Sequence, residues 1–265
     1  MADPCEIDYK VSCPLSRLPF SVVVITKNAA SQLGAALESA SFADEIVVVD
    51  SGSNDGTAEL ATAHGARVIQ KEEWLGFGRQ KQFAVEAARY DWVLSLDADE
   101  RVSQALQSSI LAALAVPTAP AYAMPRRNRF MGRWLRHGEG YPDWSLRLFD
   151  RRHARWSDDP VHERVLTEAK VARIAGDLLH ESADTLPNYL DKQNRYTSVQ
   201  AEALFKAGKR AGVTQLLLSP ALRFVKFYFL RLGFLDGIPG LVHIAIGCCN
   251  SFHKYAKLMA LQRGV

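Results

Sequence analysis

The chain has 265 residues, of which 48% are hydrophobic and 23% are charged. This balance is typical of a globular protein and excludes an intrinsically disordered chain, and the length allows one large domain or a domain with an appendage. None of the four cysteines forms a C-x-x-C pair and no signal peptide is recognisable, so we expect a protein of the reducing cytosol.

The net charge of +3 is distributed unevenly along the chain. From residue 188 onward there are 11 Lys and Arg against 3 Asp and Glu, which leaves 21 against 26 for the remainder. An acidic body with a basic, apolar C-terminal part indicates a protein that rests on an anionic surface such as a membrane. No nucleic-acid-binding motif is recognisable, so we expect no nucleic acid partner.

Strand and helix patterns alternate in the first half of the chain. Residues 1–18 lack periodicity and are expected to form an N-terminal arm. Apolar, β-branched runs then predict four buried strands, at 21–26, 45–50, 66–69 and 92–96. A helical pattern follows each strand, and this repeated alternation predicts a parallel, doubly wound sheet.

The pattern changes after Pro117 and Pro120. Short strand patterns at 122–129, 145–149 and 154–156 are separated by glycine and proline, so we expect a mixed-sheet extension of the parallel sheet.

Three helices are predicted in the C-terminal part, at 186–207, 213–232 and 241–261, with residues 233–240 separating the last two. No apolar run reaches the roughly 18 residues that a membrane span requires. The basic, aromatic character of the last two helices is typical of helices that lie in a membrane interface. A helical subdomain packed on the sheet and a dimer interface are the alternatives, and the oligomeric state stays open.

The fourth predicted strand, 92–96, ends in three carboxylates within four residues, Asp97, Asp99 and Glu100. The carboxyl ends of parallel strands share one edge of the sheet, so Asp50, which ends the second strand, is expected to lie near them. Carboxylates this close repel one another, and such a site suits a hard divalent cation bound through oxygen. The alternative is a solvated turn in which an acid caps the next helix.

Two nucleotide-binding motifs are missing from the sequence. No G-x-G-x-x-G follows the first strand and no G-x-x-x-x-G-K-[ST] occurs, which argues against a dinucleotide dehydrogenase and a P-loop enzyme. A phosphate-bearing ligand would therefore need a metal ion and basic side chains, for which Lys27, Arg79 and Lys81 are available.

Three motifs together resemble the inverting glycosyltransferases of family 2. They are Val-Val-Val-Ile-Thr-Lys-Asn at 22–28, Val-Val-Asp-Ser-Gly-Ser-Asn-Asp-Gly-Thr at 48–57 and Leu-Asp-Ala-Asp-Glu at 96–100. The resemblance continues through Gly-Arg-Gln-Lys-Gln at 78–82, Trp-Ser-Leu-Arg-Leu-Phe at 144–149 and Val-His-Glu at 161–163. The set strongly resembles the bacterial subgroup that adds glucose to a heptose of the lipopolysaccharide inner core.

The resemblance implies an α/β fold of the GT-A type, with a Rossmann-like, mainly parallel sheet, helices on both faces and a C-terminal helical extension. The expected parts are an arm at 1–18, the GT-A domain at 19–185 and a membrane-associated extension at 186–265. The implied activity is inverting transfer of a hexose from a UDP-sugar, UDP-glucose in this subgroup, to a lipid-linked saccharide, a heptose of the lipopolysaccharide core. We therefore expect the protein at the inner face of the cytoplasmic membrane.

The resemblance also implies roles for individual residues. Glu163 is the implied general base, which takes the proton of the acceptor hydroxyl. Asp99 and His180 are the implied ligands of Mg²⁺ or Mn²⁺, and the metal would neutralise the diphosphate leaving group. The alternative for Glu163 is a glutamate on the surface, and the alternative for His180 is a histidine of the core. His162 is a further candidate for a position in the site. The implied donor-binding residues are Thr26, Asn28, Asp50, Ser51, Lys81, Asp97 and Arg147.

Basic and aromatic residues suggest how an acceptor could be recognised. Five arginines suit phosphate or carboxylate groups of an acidic acceptor, namely Arg126, Arg127, Arg129, Arg133 and Arg136. Four aromatic residues could stack on sugar rings, namely Trp74, Trp134, Trp144 and Tyr141.

Other functions stay open from the sequence. A family 2 enzyme could use a polyprenyl-phosphate or exopolysaccharide acceptor, or the chain could bind a nucleotide sugar without catalysis. A metal-dependent nucleotidyltransferase is a third alternative, although such enzymes usually carry a phosphate loop rich in Gly, Arg and Lys, which residues 21–28 lack.

Overall fold

The computed structural model describes residues 17–159, 163–182 and 185–264. The predicted N-terminal arm lies outside these residues except for Arg17 and Leu18. Val161 and His162 of the 161–163 motif also lie outside them, whereas Glu163 is described.

Four parallel strands form one half of the main sheet. They are β1 (Phe20–Thr26), β2 (Glu45–Asp50), β3 (Arg67–Gln70) and β4 (Trp92–Asp97), in the spatial order β3-β2-β1-β4. The helices of this half are α1 (Ala30–Ser39), α2 (Thr57–Ala63), α3 (Phe77–Ala87) and α4 (Gln104–Ala115). The predicted alternation of strand and helix is therefore confirmed.

The strands that follow β4 in the described residues run in mixed directions. They are β5 (Glu100–Val102), β6 (Ala121–Phe130), β7 (Arg133–Trp134), β8 (Asp143–Asp150), β9 (Arg155–Trp156), β10 (Val165–Leu166), β11 (Val171–Arg173) and β12 (Leu178–His180). Strand β8 runs antiparallel to β4 and β6, and the order continues from β4 through β8, β6 and β12 to β5. Strands β9 and β10 form a separate two-stranded sheet.

The sheet buries both faces because its parallel strands are apolar throughout. Val22 and Val24 of β1 belong to the core beneath α1, α2 and α4, whereas Val23 belongs to the opposite core beneath α3. Successive side chains of a strand point to opposite faces, so a continuous apolar run requires cover on both sides. The structure thus confirms the predicted α/β fold with helices on both faces.

The C-terminal part is helical and packs against the β6–β7 hairpin. It comprises α5 (Leu186–Lys206), α6 (Val213–Phe224), a π-helical segment (Val225–Leu230), a 3₁₀ helix (Gly233–Asp236) and α7 (Gly237–Arg263). Phe130 of β6 lies against Tyr189 of α5 and His243 of α7, with ring centroids 5.5 and 5.2 Å away. Among the described residues, no single helix has both the length and the apolar composition of a membrane span. The helical segments 213–230 and 233–263 have them only when taken together, and they are bent by 74° relative to each other.

The break between the last helices differs from the prediction. Residues 233–240 were expected to separate two helices, but 233–236 form the 3₁₀ helix and α7 begins at Gly237. Pro239 lies in the first turn of α7, where the missing N–H has no intrahelical partner to lose. The glycines and the proline of residues 233–240 therefore lie in the 3₁₀ helix and in the first turn of α7, and not in an extended linker.

Gly176 allows β12 to approach the start of α4. It has a φ of +95°, and a Cβ there would overlap the backbone of Leu106. We expect Gly176→Ala to lower the free energy of unfolding by roughly 3 kcal/mol, because backbone strain and overlap add. Gly56→Ala is the control, since Gly56 has a φ of +86° but open space around it, so it should cost only about 1 kcal/mol. Equal losses in urea unfolding would contradict the contact at Gly176.

The junction between helices and sheet should weaken in acid. Burial of the ring, and secondarily the charge of Arg223, lower the pKa of His243 from 6.5 to about 4. Between about pH 6.5 and pH 4, His243 is protonated in the unfolded chain but not in the folded chain. The contribution of His243 to the free energy of unfolding is therefore fully present above pH 6.5 and is lost as the pH falls toward 4.

We expect a loss of about 2 kcal/mol between pH 6.5 and 4, measured by urea unfolding at a series of pH values. His243→Gln should flatten this dependence. The exposed His64 provides the matched control, because His64→Gln removes a histidine from the surface and should leave the pH dependence intact.

Candidate active site

A cleft of about 1210 Å³ opens at the carboxyl ends of β1 and β4, with β6, β12 and α5 as its other walls. Ten residues were predicted as catalytic, donor-binding or metal-binding. Six of them line this cleft, namely Asn28, Lys81, Asp97, Asp99, Glu163 and His180. The other four, Thr26, Asp50, Ser51 and Arg147, are buried. Residues more than 150 positions apart in sequence thus meet at one edge of the sheet, as ligand sites of α/β sheets do.

The ammonium group of Lys81 joins two walls of the cleft. Its Nζ lies 2.8 Å from Asp97 Oδ1 and 3.1 Å from Glu163 Oε1, and its side chain is only 5% exposed. The same atom lies 4.6 Å from the ring centroid of Trp156. A buried ammonium needs such partners, because an unpaired charge in this position would be costly. Lys81 therefore fixes Asp97 and Glu163 relative to each other.

Helix α3 reaches this position because it carries Gly78 at its start. A Cβ on Gly78 would overlap the carbonyl oxygen of Ser157 and would lie 3.4 Å from Glu163 Cβ. The missing side chain lets α3 lie directly on the segment that follows β9, and this contact brings Lys81 and Glu163 together.

Asp97 is held from a second side by a buried arginine. Arg147 Nη2 donates to Asp97 Oδ2 at 2.6 Å and to Glu100 Oε1 at 2.7 Å. The backbone N–H of Asp97 donates to Glu100 Oε2 at 3.1 Å. Burial alone would raise the pKa of Asp97, but the charges of Arg147 and Lys81 outweigh it and hold the pKa well below its usual range. Asp97 is therefore a permanent carboxylate.

Arg147, which was predicted to bind the donor, lies behind Asp97, and its side chain is buried. Its role in donor binding stays a prediction, and in this geometry it would act through Asp97.

Asp99 and His180 form the predicted metal-binding pair. His180 Nε2 lies 3.2 Å from Asp99 Oδ2, and His180 Nδ1 lies 2.7 Å from Asn128 Oδ1. In the tautomer that carries the proton on Nδ1, His180 donates to the amide oxygen of Asn128, and Nε2 can then bind a cation together with Asp99.

The two residues alone would leave a metal ion incompletely coordinated. No group of three or more His, Cys, Asp and Glu side chains suited to a metal occurs within 17–159, 163–182 and 185–264. Further ligands would have to come from water or from a bound substrate, as is common for divalent cations on phosphates.

The buried residues of the donor-binding set support a turn at the edge of the cleft. Asp50 accepts hydrogen bonds from the backbone N–H of Ser53, at 2.9 Å, and from its hydroxyl. Ser53 Oγ in turn accepts from the backbone N–H of Asn28 at 2.8 Å, and Asn28 has a φ of +52°. Asp50 thus holds Asn28 at the cleft through Ser53, and direct contact between Asp50 and a nucleotide stays a prediction.

Ser51 and Thr26 lie beside this turn. Ser51 Oγ accepts a hydrogen bond from Gln80 Nε2 at 3.1 Å, and the backbone N–H of Ser51 donates to the carbonyl oxygen of Thr26 at 2.9 Å. Thr26 Oγ1 is buried and has no hydrogen-bond partner among the described residues. Their predicted roles in donor binding also stay predictions.

The arginines proposed to recognise an acidic acceptor already have acidic partners. Arg126 pairs with Asp143, Arg127 with Asp177, Arg129 with Glu181 and Arg133 with Asp236. Arg126 and Arg129 line the cleft, and Glu181 is shared between Arg129 and Arg101. Recognition of an acidic acceptor by these arginines stays a prediction.

The aromatic lining of the cleft also differs from the prediction. Among the described residues, the lining contains Phe77, Phe130, Tyr189 and Tyr196, but none of the four aromatic residues predicted to stack on sugars. Tyr189 and Tyr196 lie seven positions apart on α5, and this spacing puts them on one face of a helix. That spacing was the signal in the sequence that could have identified them.

Comparison with known proteins places the chain among glycosyltransferases. Residues 21–169 match the family model for glycosyl transferase family 2. A lipopolysaccharide core biosynthesis glycosyltransferase, LpsC of Rhizobium meliloti, is 31% identical over 92% of this chain and 93% of its own length. An uncharacterized glycosyltransferase of Rickettsia typhi is 32% identical over 91% of this chain and 87% of its own length.

Solved structures show the same fold at low sequence identity. The mannosyltransferase PcManGT of Pyrobaculum calidifontis, in complex with GDP-Man and Mn²⁺, has a TM-score of 0.52 and 18% identity over 94% of this chain and 87% of that chain. Mannosyl-3-phosphoglycerate synthase of Rubrobacter xylanophilus has a TM-score of 0.51 and 20% identity over 74% and 77%. With the family model covering more than half of the sequence, the chain belongs to glycosyl transferase family 2 and is a glycosyltransferase with the GT-A fold.

Proposed function

We propose that the protein transfers a hexose, with inversion, from a UDP-sugar, UDP-glucose in the first instance, to a heptose of a lipopolysaccharide core. The observation that carries the proposal is the convergence of Asp99–His180 and Lys81–Glu163 on one cleft. The similarity to LpsC supports the lipopolysaccharide acceptor, and the resemblance of the sequence motifs to the glucosyltransferase subgroup supports the sugar.

Donor binding would use the edge where β1 and β4 end. Asn28 is held there by Ser53 and Asn54, and Asp97 is kept ionised by Arg147 and Lys81, so Asp97 would present a carboxylate acceptor to a nucleoside. The complex of PcManGT with GDP-Man and Mn²⁺ supports a nucleotide sugar and a divalent cation in this fold.

Asp99 and His180 would hold the divalent cation. A carboxylate oxygen and an imidazole nitrogen lie 3.2 Å apart, and Asn128 fixes the orientation of the ring, as hydrogen-bonded partners of metal-binding histidines commonly do. Mg²⁺ rarely takes an imidazole ligand, so this pair favours Mn²⁺. When bound, the cation would stabilise the negative charge that develops on the diphosphate as the bond to the sugar breaks.

Glu163 would act as the general base. Its carboxylate lines the same cleft as Asp99 and His180, and Lys81 holds one of its oxygens at 3.1 Å. In an inverting transfer the acceptor oxygen bonds to the anomeric carbon while the bond from that carbon to the phosphate oxygen breaks. The acceptor proton then passes to the carboxylate, and a single base suffices.

The proposed donor and acceptor are tested directly by transfer assays. The purified full chain, with Mn²⁺, is incubated with UDP-glucose, UDP-galactose, UDP-N-acetylglucosamine and GDP-mannose in turn. Lipopolysaccharide core oligosaccharide ending in heptose is compared with a polyprenyl phosphate as acceptor, and products are identified by mass spectrometry. Transfer to the polyprenyl phosphate alone would overturn the proposed acceptor and leave the glycosyltransferase assignment intact.

The metal pair gives a prediction that does not depend on turnover. In Asp99→Asn and in His180→Ala, Mn²⁺ should no longer strengthen UDP binding, because each change removes one of the two protein ligands. Isothermal titration calorimetry with UDP, with and without Mn²⁺, measures the effect, and we expect at least a tenfold loss of the Mn²⁺-dependent gain. Asp158→Asn is the matched control, since Asp158 is exposed and lies outside the cleft lining. An unchanged Mn²⁺ effect in both variants would rule out this metal site.

Replacing the base should separate binding from catalysis. Glu163→Gln keeps the shape of the side chain but cannot accept the proton, so kcat should fall by a factor of roughly 10² to 10⁴. The Kd for UDP, measured by calorimetry, should stay nearly the same. Glu168→Gln, at an exposed glutamate of the same segment, should keep wild-type kcat. Normal turnover by Glu163→Gln would show that another group takes the proton.

A further inference from the structure

The segment from Val213 to Leu230 is strongly apolar, yet none of its residues is buried. It packs on α7 along one side, where Arg223 donates to Ser251 Oγ at 3.2 Å. Arg223 also pairs with Glu139, which lies in the loop after β7. The other side of the segment carries Leu218, Leu222, Val225 and Phe229, spaced three or four residues apart. Residues with this spacing form a continuous stripe on one face of a helix, so the segment presents an unpartnered apolar face.

The exposed apolar residues continue past the end of this segment. Between residues 213 and 241 there are 12 large hydrophobic side chains that are exposed, and we call them the apolar surface. Leu222, Leu230 and Ile238 are the most exposed of them, at 65%, 75% and 72%. Scattered single hydrophobic residues are normal on protein surfaces, but a concentration of this size marks an interaction site.

The charge around the apolar surface has one sign. Residues 203–265 contain nine Lys and Arg and a single acid, Asp236, which is buried. Asp236 is occupied by the backbone N–H groups of Arg136 and His137, at 2.9 and 2.8 Å. Lys226 is exposed within the apolar stripe itself. A surface that combines apolar side chains with an excess of cations over acids is complementary to a bilayer of anionic lipids, which offers both environments at one depth.

The apolar surface adjoins the cleft through the β6–β7 hairpin. Arg133 Nη2 donates to the carbonyl oxygen of Leu235 at 3.0 Å, and Met131 and Gly132 at the tip of the same hairpin line the cleft. In the loop that follows β7, the backbone N–H of Gly138 donates to the carbonyl oxygen of Arg231 at 2.8 Å. A bilayer that contacted this surface would therefore lie beside the opening of the cleft.

We propose that the apolar surface inserts into the interface of an anionic bilayer and thereby sets the cleft next to the headgroups of that bilayer. The inference rests on the proposed function in one respect, since it explains how a lipid-anchored acceptor would reach Glu163. The 74° bend between the two helical segments suits this placement, because a bent pair can lie along a surface. The alternative is that a second copy of the chain covers the apolar surface, in which case the protein would be a dimer in solution.

Vesicle flotation of the full chain without donor tests the proposal. The wild-type protein should float with vesicles of phosphatidylcholine and phosphatidylglycerol and should bind vesicles of phosphatidylcholine alone far more weakly. Each of Leu222→Gln, Leu230→Gln and Ile238→Gln should lower the partition coefficient roughly tenfold, because each removes a large side chain from the buried apolar area. Lys226→Gln should lower binding roughly fivefold on the anionic vesicles only.

Val116→Gln is the matched control, since Val116 is 62% exposed and lies at the end of α4, outside the apolar surface. It should float like the wild type. UDP-sugar hydrolysis without vesicles should be equal in the wild type and the Leu222, Leu230 and Ile238 variants, which shows that the cleft is intact. Transfer without any vesicle binding would overturn this inference alone, and vesicle binding without transfer would overturn the proposed function alone.

Sedimentation velocity excludes or establishes the dimer. A monomer in solution that floats with anionic vesicles supports the proposal. A dimer that Leu222→Gln and Leu230→Gln dissociate, together with no vesicle binding, would overturn it and assign the apolar surface to contact between copies of the chain.

Discussion

The sharing of one buried ammonium group between two carboxylates organises the cleft. Lys81 contacts Asp97 and Glu163 at the same time, and Arg147 contacts Asp97 and Glu100 from behind. Removing charges from water is costly, and the cost is offset only when opposite charges meet with good hydrogen-bond geometry. The contacts therefore require α3, β4, β8 and the segment between β9 and β10 to adopt one arrangement, and this arrangement fixes the positions of Lys81, Asp97 and Glu163 in the cleft.

The strands of the parallel half could be predicted within a few residues, because buried parallel strands are apolar on both faces and end at polar turns. The same logic correctly brought Asp97 and Asp99 to one edge, and the family resemblance added Glu163 and His180, which the structure places in the same cleft. What the sequence could not reveal was which charges would neutralise each other. Arg126 and Asp143 are 17 positions apart and Arg129 and Glu181 are 52 apart, so the stretch of arginines alone does not show which acids they pair with.

The structure adds contacts of Asp50 and Arg147 that the sequence could not supply. Both belong to motifs shared with the family, and their predicted roles in donor binding stay predictions. In the structure each supports a residue that lies nearer the cleft, Asp50 through Ser53 and Arg147 through Asp97. A motif identifies residues that a site requires, but it does not distinguish a residue that binds the ligand from one that holds the binding residue in place.

The helical part is integrated with the catalytic body rather than attached to it. Tyr189 and His243 line the cleft and pack on Phe130 of the sheet. Residues on both sides of the expected boundary at residue 186 therefore contribute to the same cleft. The glycines and prolines near 233–240, which suggested a linker, instead lie at the start of α7 and in the 3₁₀ helix that bonds to the loop after β7. Tertiary contacts of this kind decide helix boundaries where local sequence is ambiguous.

The shared ammonium has a consequence for how such an enzyme can be redesigned or can diverge. One side chain on α3 contacts both Asp97, proposed to bind the donor, and Glu163, proposed to activate the acceptor. If these proposals hold, a substitution that shifts α3 to accommodate a different donor would also displace the proposed base. New sugar preferences should therefore arise more readily from changes along α5 and the hairpin tip, where side chains border the cleft without touching this shared anchor.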